Sequence, residues 1–276
     1  MKNLTKLTAL TLTAALALTA CGSSAAATAP AAESAAGSGD LLSEIQAKGT
    51  ITVAMEGTWA PWTYHDENDN LVGYDVEVAT EIAKKLGVEP QFVEGEWDGL
   101  LAGLDAGRYD IMVNGVDITP ERAEKYDFST PYAFNRTAVI TKADDDSINT
   151  LEDLKGKKTA NTISSTYAEL AEQYGATVTG VDDLNQTFEL LLSGRIDATL
   201  NAEMTFYDYT KEHPDANVKI AVLTDDANRI AIPMRKGDET AALRTAIDAA
   251  IDELRADGTL KALSEKYFGR DISTEE

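Results

Sequence analysis

Residues 107–115, Gly-Arg-Tyr-Asp-Ile-Met-Val-Asn-Gly, return in nearly the same form at residues 194–202 as Gly-Arg-Ile-Asp-Ala-Thr-Leu-Asn-Ala. Gly107, Arg108, Asp110 and Asn114 match Gly194, Arg195, Asp197 and Asn201 at constant spacing. Each copy follows an amphipathic stretch and leads into a short apolar one, the pattern of a helix, a tight turn and a buried strand. A chain that makes this unit twice predicts two similar α/β lobes. Ligands of parallel α/β sheets bind beyond the carboxyl ends of strands. Asn114 with Gly115, and Asn201 with Ala202, are therefore expected to face one cleft. The Gly, Arg and Asp of each copy read as turn residues, with Gly at positive φ and Asp as a cap.

The remaining pattern supports that architecture. Strands are expected over residues 51–55, 91–93 and 109–113, and again over 158–161, 177–181 and 196–200. Helices are expected over residues 75–86, 99–106, 166–174 and 184–193. A long helix near the end carries Leu243, Ile247, Ile251 and Leu254 on one face and stops at Asp257 and Gly258. With 276 residues, 43% of them hydrophobic, the chain has the material for a sizeable core. Its formal net charge of -23 repels phosphate backbones and anionic headgroups, so neither nucleic acid nor a lipid surface is an expected direct partner. The two histidines, His65 and His213, lie in polar stretches, and no nucleophile–base pair or metal-ligand cluster stands out. No catalytic residue, metal or cofactor is expected.

Residues 1–20 have the form of an export signal: Lys2 and Lys6 precede a short apolar run that ends in small residues. The run closes on Leu18-Thr19-Ala20-Cys21, which resembles a bacterial lipobox. That resemblance implies cleavage before Cys21, lipid attachment at its thiol and an anchor on the outer face of the cell membrane. Cys21 is the only cysteine, so no intramolecular disulfide forms. Residues 21–40 read as a flexible Ala/Ser/Gly tether.

After the first copy comes Asp117-Ile-Thr-Pro-Glu-Arg122. Thr119 suits an N-cap and Pro120 the first helical position, which puts Arg122 in the first turn of a short helix beside a strand end. There its planar fork can take a carboxylate through two parallel hydrogen bonds. A surface ion pair with Glu121 or Glu124 fits the same letters.

Gly73-Tyr-Asp-Val-Glu-Val, Trp97-Asp-Gly-Leu, Ile118-Thr-Pro-Glu-Arg, Asp127-Phe-Ser-Thr-Pro-Tyr and Tyr267-Phe-Gly occur in that order. Together they resemble the polar amino-acid-binding lipoproteins of ABC importers, solute-binding protein family 3, from about residue 51 to 269. The resemblance implies a two-lobed periplasmic-binding-protein type II fold with two hinge crossovers and a ligand cleft between lobes. Lobe 1 is expected over residues 41–131 plus 230–276 and lobe 2 over 137–223, with hinges near 132–136 and 224–229. It also implies an extracytoplasmic protein, most simply a monomer, that captures a polar amino acid or cystine and delivers it to permease subunits.

By the same resemblance, Arg122 grips the ligand α-carboxylate, while Asn114, Gly115 and Asp117 position the ligand from the strand end. Trp59 and Trp97 sandwich the ligand side chain, and Glu56 contacts its polar groups. Ser165 and Thr166, in the turn that opens a helix, complete carboxylate binding from the second lobe, and Thr162 just before it is another ligand-lining position. The chain departs from the family at Ala202, where relatives keep an Asp for the ligand ammonium. Either Asp117 or Glu203 is expected to replace it, Asp117 being favoured for its place beside Arg122. Two other readings share the fold: a cyclohexadienyl or arogenate dehydratase-like enzyme, and a ligand-sensing module that docks to a receptor.

Overall fold

Both Gly-Arg-x-Asp copies turn a helix into a strand, and in both the Asp reaches sideways rather than capping locally. In the computed structural model, which describes residues 40–275, the helix Trp97–Asp105 leads through Gly107 (φ 68°) to the strand Ile111–Met112. The helix Leu184–Leu192 leads through Gly194 (φ 70°) to the strand Thr199–Ala202. Asp110 Oδ2 accepts from the Thr52 amide at 2.7 Å and from its hydroxyl at 2.6 Å. Asp197 Oδ2 accepts from the Lys158 amide at 2.8 Å. Each Asp thus pins the neighbouring strand in its own lobe, which explains why the turn is repeated. The second strand begins later than its apolar run suggests, so Asn201 and Ala202 are its last residues.

The first lobe is built on a parallel sheet with Thr50–Met55 between Glu89–Glu94 and Ile111–Met112, Val53 lying opposite both Phe92 and Ile111. The second lobe is mixed rather than parallel. Its strand Thr137–Lys142 runs antiparallel to Thr199–Ala202 on one side and to Val218–Leu223 on the other. Lys158–Asn161 pairs in parallel with Thr177–Gly180 and joins the sheet through a bridge between Thr159 and Ala198.

Helix Tyr74–Leu86 buries Val78, Ala79, Ile82 and Ala83 in one cluster with Leu243, Ile247, Ile251 and Leu254 of helix Ala241–Ala256. Each fully buried Val, Leu or Ile side chain here contributes about 1.5–3 kcal/mol. The chain therefore completes its first lobe only after traversing the second. Two short strands make the crossings, Ala133–Asn135 outward and Asn228–Ile230 back, and they pair antiparallel with Arg229 opposite Phe134.

Asp40, the last residue of the expected tether, caps the helix Leu41–Lys48 by accepting from the Ser43 amide. The expected signal peptide, the lipid site at Cys21 and the rest of the tether lie outside the described residues. Among the described residues, no helix is long and apolar enough to cross a membrane.

Candidate functional site

The strand ends of the first lobe form one wall of a cavity between the lobes. Thr119 accepts from the Arg122 amide at 3.1 Å with Pro120 at the helix start, so helix Pro120–Lys125 begins as its sequence requires. Arg122 is buried at 7% exposure, its guanidinium 5.4 Å from the centre of the Trp97 ring. Its Nη1 donates to the Asp117 carbonyl at 3.3 Å. This excludes the surface pairing with Glu121, which instead bonds Lys125 at 2.8 Å. Trp59 stacks on the core residue Trp62, centroids 5.3 Å apart, and closes over Gly115. Gly115 has φ 55°, and a Cβ there would stand 2.5 Å from the Trp59 ring, so no larger residue fits without displacing the indole.

The second lobe supplies the facing wall from the turn that opens helix Thr166–Gln173. Ser165 caps this helix by accepting from the Ala168 amide and donates its own hydroxyl to the Thr162 carbonyl at 2.7 Å. Hydrogen bonds between the lobes hold the walls together. Thr166 donates its hydroxyl to Asp117 Oδ2 at 2.5 Å, and Arg122 Nη2 donates to the Ser164 carbonyl at 3.2 Å. Trp59 Nε1 donates to Asn201 Oδ1 at 3.1 Å, and the Ser164 amide donates to Asp98 at 3.2 Å. The cavity is about 50 Å³, room for a few water molecules.

Charge divides this cavity into two ends. Arg122 is the single cation among its lining residues, against the carboxylates of Glu56, Asp117 and Asp183. Burial pushes Asp117 up to about 6, while the Thr166 hydroxyl and the Arg122 charge pull it down. Burial pushes Glu56 up to about 7; the Asn114 amide, bonded to Oε2 at 2.7 Å, opposes this, and the negative charges of Asp98 and Asp183 add to it. Among the described residues Glu56 has no basic partner, whereas the charge of Arg122 acts on Asp117, to whose carbonyl it also donates. Tyr167 also lines the cavity, its phenol held well above its ordinary value by burial and by Asp117.

The profile of the bacterial extracellular solute-binding proteins, family 3, matches residues 51–270. The chain belongs to this family. This solute-binding protein is 42% identical to the L-cystine-binding protein TcyA of Bacillus subtilis, over 85% of its own chain and 87% of the relative. A solved structure of an ancestral arginine-binding protein bound to arginine is 38% identical, with a TM-score of 0.75 over 80% of this chain and 99% of that one. The L-cystine solute receptor of Neisseria gonorrhoeae, in its unliganded open conformation, is 43% identical but has a TM-score of 0.59, over 86% and 100% of the two chains. That structure is open, whereas hydrogen bonds here join the two walls of the cavity.

Nine of the residues singled out in the sequence line the cavity of this solute-binding protein: Glu56, Trp59, Trp97, Gly115, Asp117, Arg122, Thr162, Ser165 and Thr166. Two do not. Asn114 is fully buried behind the wall, where Oδ1 accepts from the Glu56 amide at 2.7 Å and Nδ2 donates to the Glu56 carboxylate. Glu203 turns away from the cavity, because helix Glu203–Glu212 aims its first side chain at Arg136. Arg136 Nε and Nη2 donate to the two Glu203 oxygens at 3.3 Å each, and the Tyr207 hydroxyl donates at 3.2 Å. Ala202 packs into the apolar cluster around Trp59 and Trp62, with Tyr167 against it.

The lining also includes Asn201, which the repeat placed at the cleft, and Asn161, Tyr167, Asp183, Leu184 and Thr187, which the sequence reading did not assign to the site. Asn201 was marked by the repeat as the counterpart of Asn114. Asp183 stands at a helix start, where it accepts from the Gln186 amide at 3.0 Å. Neither signal distinguishes a capping role from a cavity-lining one.

Proposed function

We propose that this protein is the substrate-binding component of an amino-acid ABC importer, capturing a polar amino acid or cystine by closure of its lobes. The observation that carries this reading is the Arg122 guanidinium, buried on the Trp97 ring and facing the Ser165–Thr166 turn across the cleft. A ligand α-carboxylate there would meet a planar two-point donor from one lobe and a helix-opening turn from the other. Asp117, beside Arg122, takes the α-ammonium in place of the missing Asp at Ala202. The surplus of carboxylates at the Glu56 end favours a side chain with a second cationic or hydrogen-bond-donating group.

Residues 132–136 and 224–229 act as the hinges, and a ligand that contacts both lobes stabilises the closed form through its preference for that form. The closed shape is what the permease subunits recognise. Lipidation at Cys21 holds the protein, as a monomer, on the outer face of the membrane. The role is binding rather than turnover, in keeping with the binding proteins among its relatives.

A thermal-shift screen of the standard amino acids and cystine tests the reading. A narrow set of amino acids raises the melting temperature, since only a ligand of the folded state does so. A flat screen overturns it, and conversion of prephenate or arogenate supports the dehydratase alternative instead.

A further inference from the structure

Asp75 is a carboxylate without an ionic partner in the middle of the first lobe. It is 0% exposed, in the first turn of helix Tyr74–Leu86, and the cavity does not include it. Its Oδ2 accepts from the Gly115 amide at 2.6 Å and its Oδ1 from the Tyr132 hydroxyl at 2.8 Å. The titratable groups that face it are Tyr132 and its neighbour Tyr74, whose phenols burial holds above their ordinary value. Arg255 and Asp271 act on Tyr74 rather than on Asp75, and among the described residues no cation pairs with it. A buried, ionisable group with no counter-charge costs several kcal/mol relative to a well-packed apolar side chain. Filling space does not account for that cost.

The two donors identify what the carboxylate joins. Gly115 lines the cleft and lies against Trp59. Tyr132 immediately precedes the outward crossing strand Ala133–Asn135, and its amide donates to the Ile230 carbonyl of the returning strand at 2.9 Å. One side chain therefore links a cleft residue to both crossing strands. A carboxylate accepts from both donors at once, one bond per oxygen, whereas an Asn would keep the Gly115 bond and have to donate to the Tyr132 hydroxyl, reversing that second bond.

We propose that Asp75 is a positioning residue for ligand binding, holding the Gly115 backbone and the Tyr132 hydroxyl as one unit so that the cleft floor and the crossing strands move together. The inference rests on the lobe-closure reading above, and its first test does not require a ligand. In nuclear magnetic resonance spectra of the labelled protein, the Gly115 amide proton resonates well downfield. It titrates in step with the Asp75 carboxyl carbon through about pH 7, the value to which burial pushes this group. E56Q and D117N leave that joint titration in place. D75N abolishes it and lowers hydrogen-exchange protection at both Gly115 and Tyr132.

The second test uses L-arginine and L-cystine as probes. D75N and Y132F each weaken whichever probe the wild type binds by about tenfold, the scale of one lost charge-assisted bond. Independent titration of Gly115 and Asp75 overturns the proposal, as does a D75N or Y132F protein that melts earlier yet binds with unchanged affinity. If D75N fails to fold, Y132F and the wild-type titration decide. If the wild type binds neither probe, the joint titration with the Tyr132 exchange response still decides the coupling, while the screen above decides the ligand reading.

Discussion

Thr166 of the second lobe donates its hydroxyl to the carboxylate of Asp117 in the first, across the cavity that Arg122 also lines. Asp117 is thus an acceptor at the junction of both lobes, beside the guanidinium that would hold a carboxylate. Asp117→Asn is expected to weaken amino-acid binding by about 3 kcal/mol or more, because a ligand ammonium would lose its buried counter-charge. Titration calorimetry on the variant checks this, and an unchanged affinity removes Asp117 from the ammonium site.

Glu203→Gln is expected to behave in the opposite way. The side chain bonds Arg136 and Tyr207 outside the cavity, so the variant loses about 1–3 kcal/mol of folding stability while its ligand affinity stays near wild type. Denaturant unfolding and calorimetry on the same sample separate the two quantities. A large affinity loss with intact stability would return Glu203 to the ligand site.

Three buried carboxylates give stability and binding opposite pH dependences. Burial pushes Glu56 and Asp75 up to about 7 and Asp117 to about 6, above the ordinary carboxylate range near 4. Between that range and the raised values, the folded chain holds more protons than the unfolded chain, so stability falls as pH rises. The net charge of -23 acts in the same direction through self-repulsion. The ligand-free protein should melt higher at pH 5 than at pH 8. A ligand that brings an ammonium favours the ionised carboxylates, so it should bind more tightly at pH 8 than at pH 5 and release protons near pH 6.5. Calorimetry in buffers of different ionisation heat measures that release.

Gly115→Ala is expected to disable the cleft with a modest loss of stability. The added methyl meets the Trp59 ring at a backbone conformation that disfavours any side chain, a strain of about 1–3 kcal/mol. Tryptophan fluorescence should change even without ligand, because Trp59 must move off Gly115. An unaltered spectrum together with normal binding would contradict the packing described here.

Much of this was readable from local letters. The Gly-Arg-x-Asp repeat announced two lobes, and Thr119 with Pro120 placed Arg122 at a helix start, because turns and caps depend on a few adjacent residues. Pairing across the chain was not readable in that way. The antiparallel strand Thr137–Lys142 makes the second sheet mixed, and its direction is set by the crossing from lobe 1. The sideways bonds of Asp110 and Asp197 connect residues about forty to sixty positions apart, so their letters read only as caps. Glu203 was misread for a related reason. Its neighbour Ala202 ends the strand expected to face the cleft, but the helix that begins at Glu203 turns the next side chain toward Arg136.

The most direct test of the account is titration calorimetry of wild type and Arg122→Ala with an amino acid that the thermal-shift screen identifies. The wild type should bind with a dissociation constant in the micromolar range or below, about -8 kcal/mol or more favourable. The variant should lose about 3–5 kcal/mol, the scale of removing one partner from a buried ion pair. Near-wild-type affinity in Arg122→Ala would contradict the carboxylate site on which the whole reading stands.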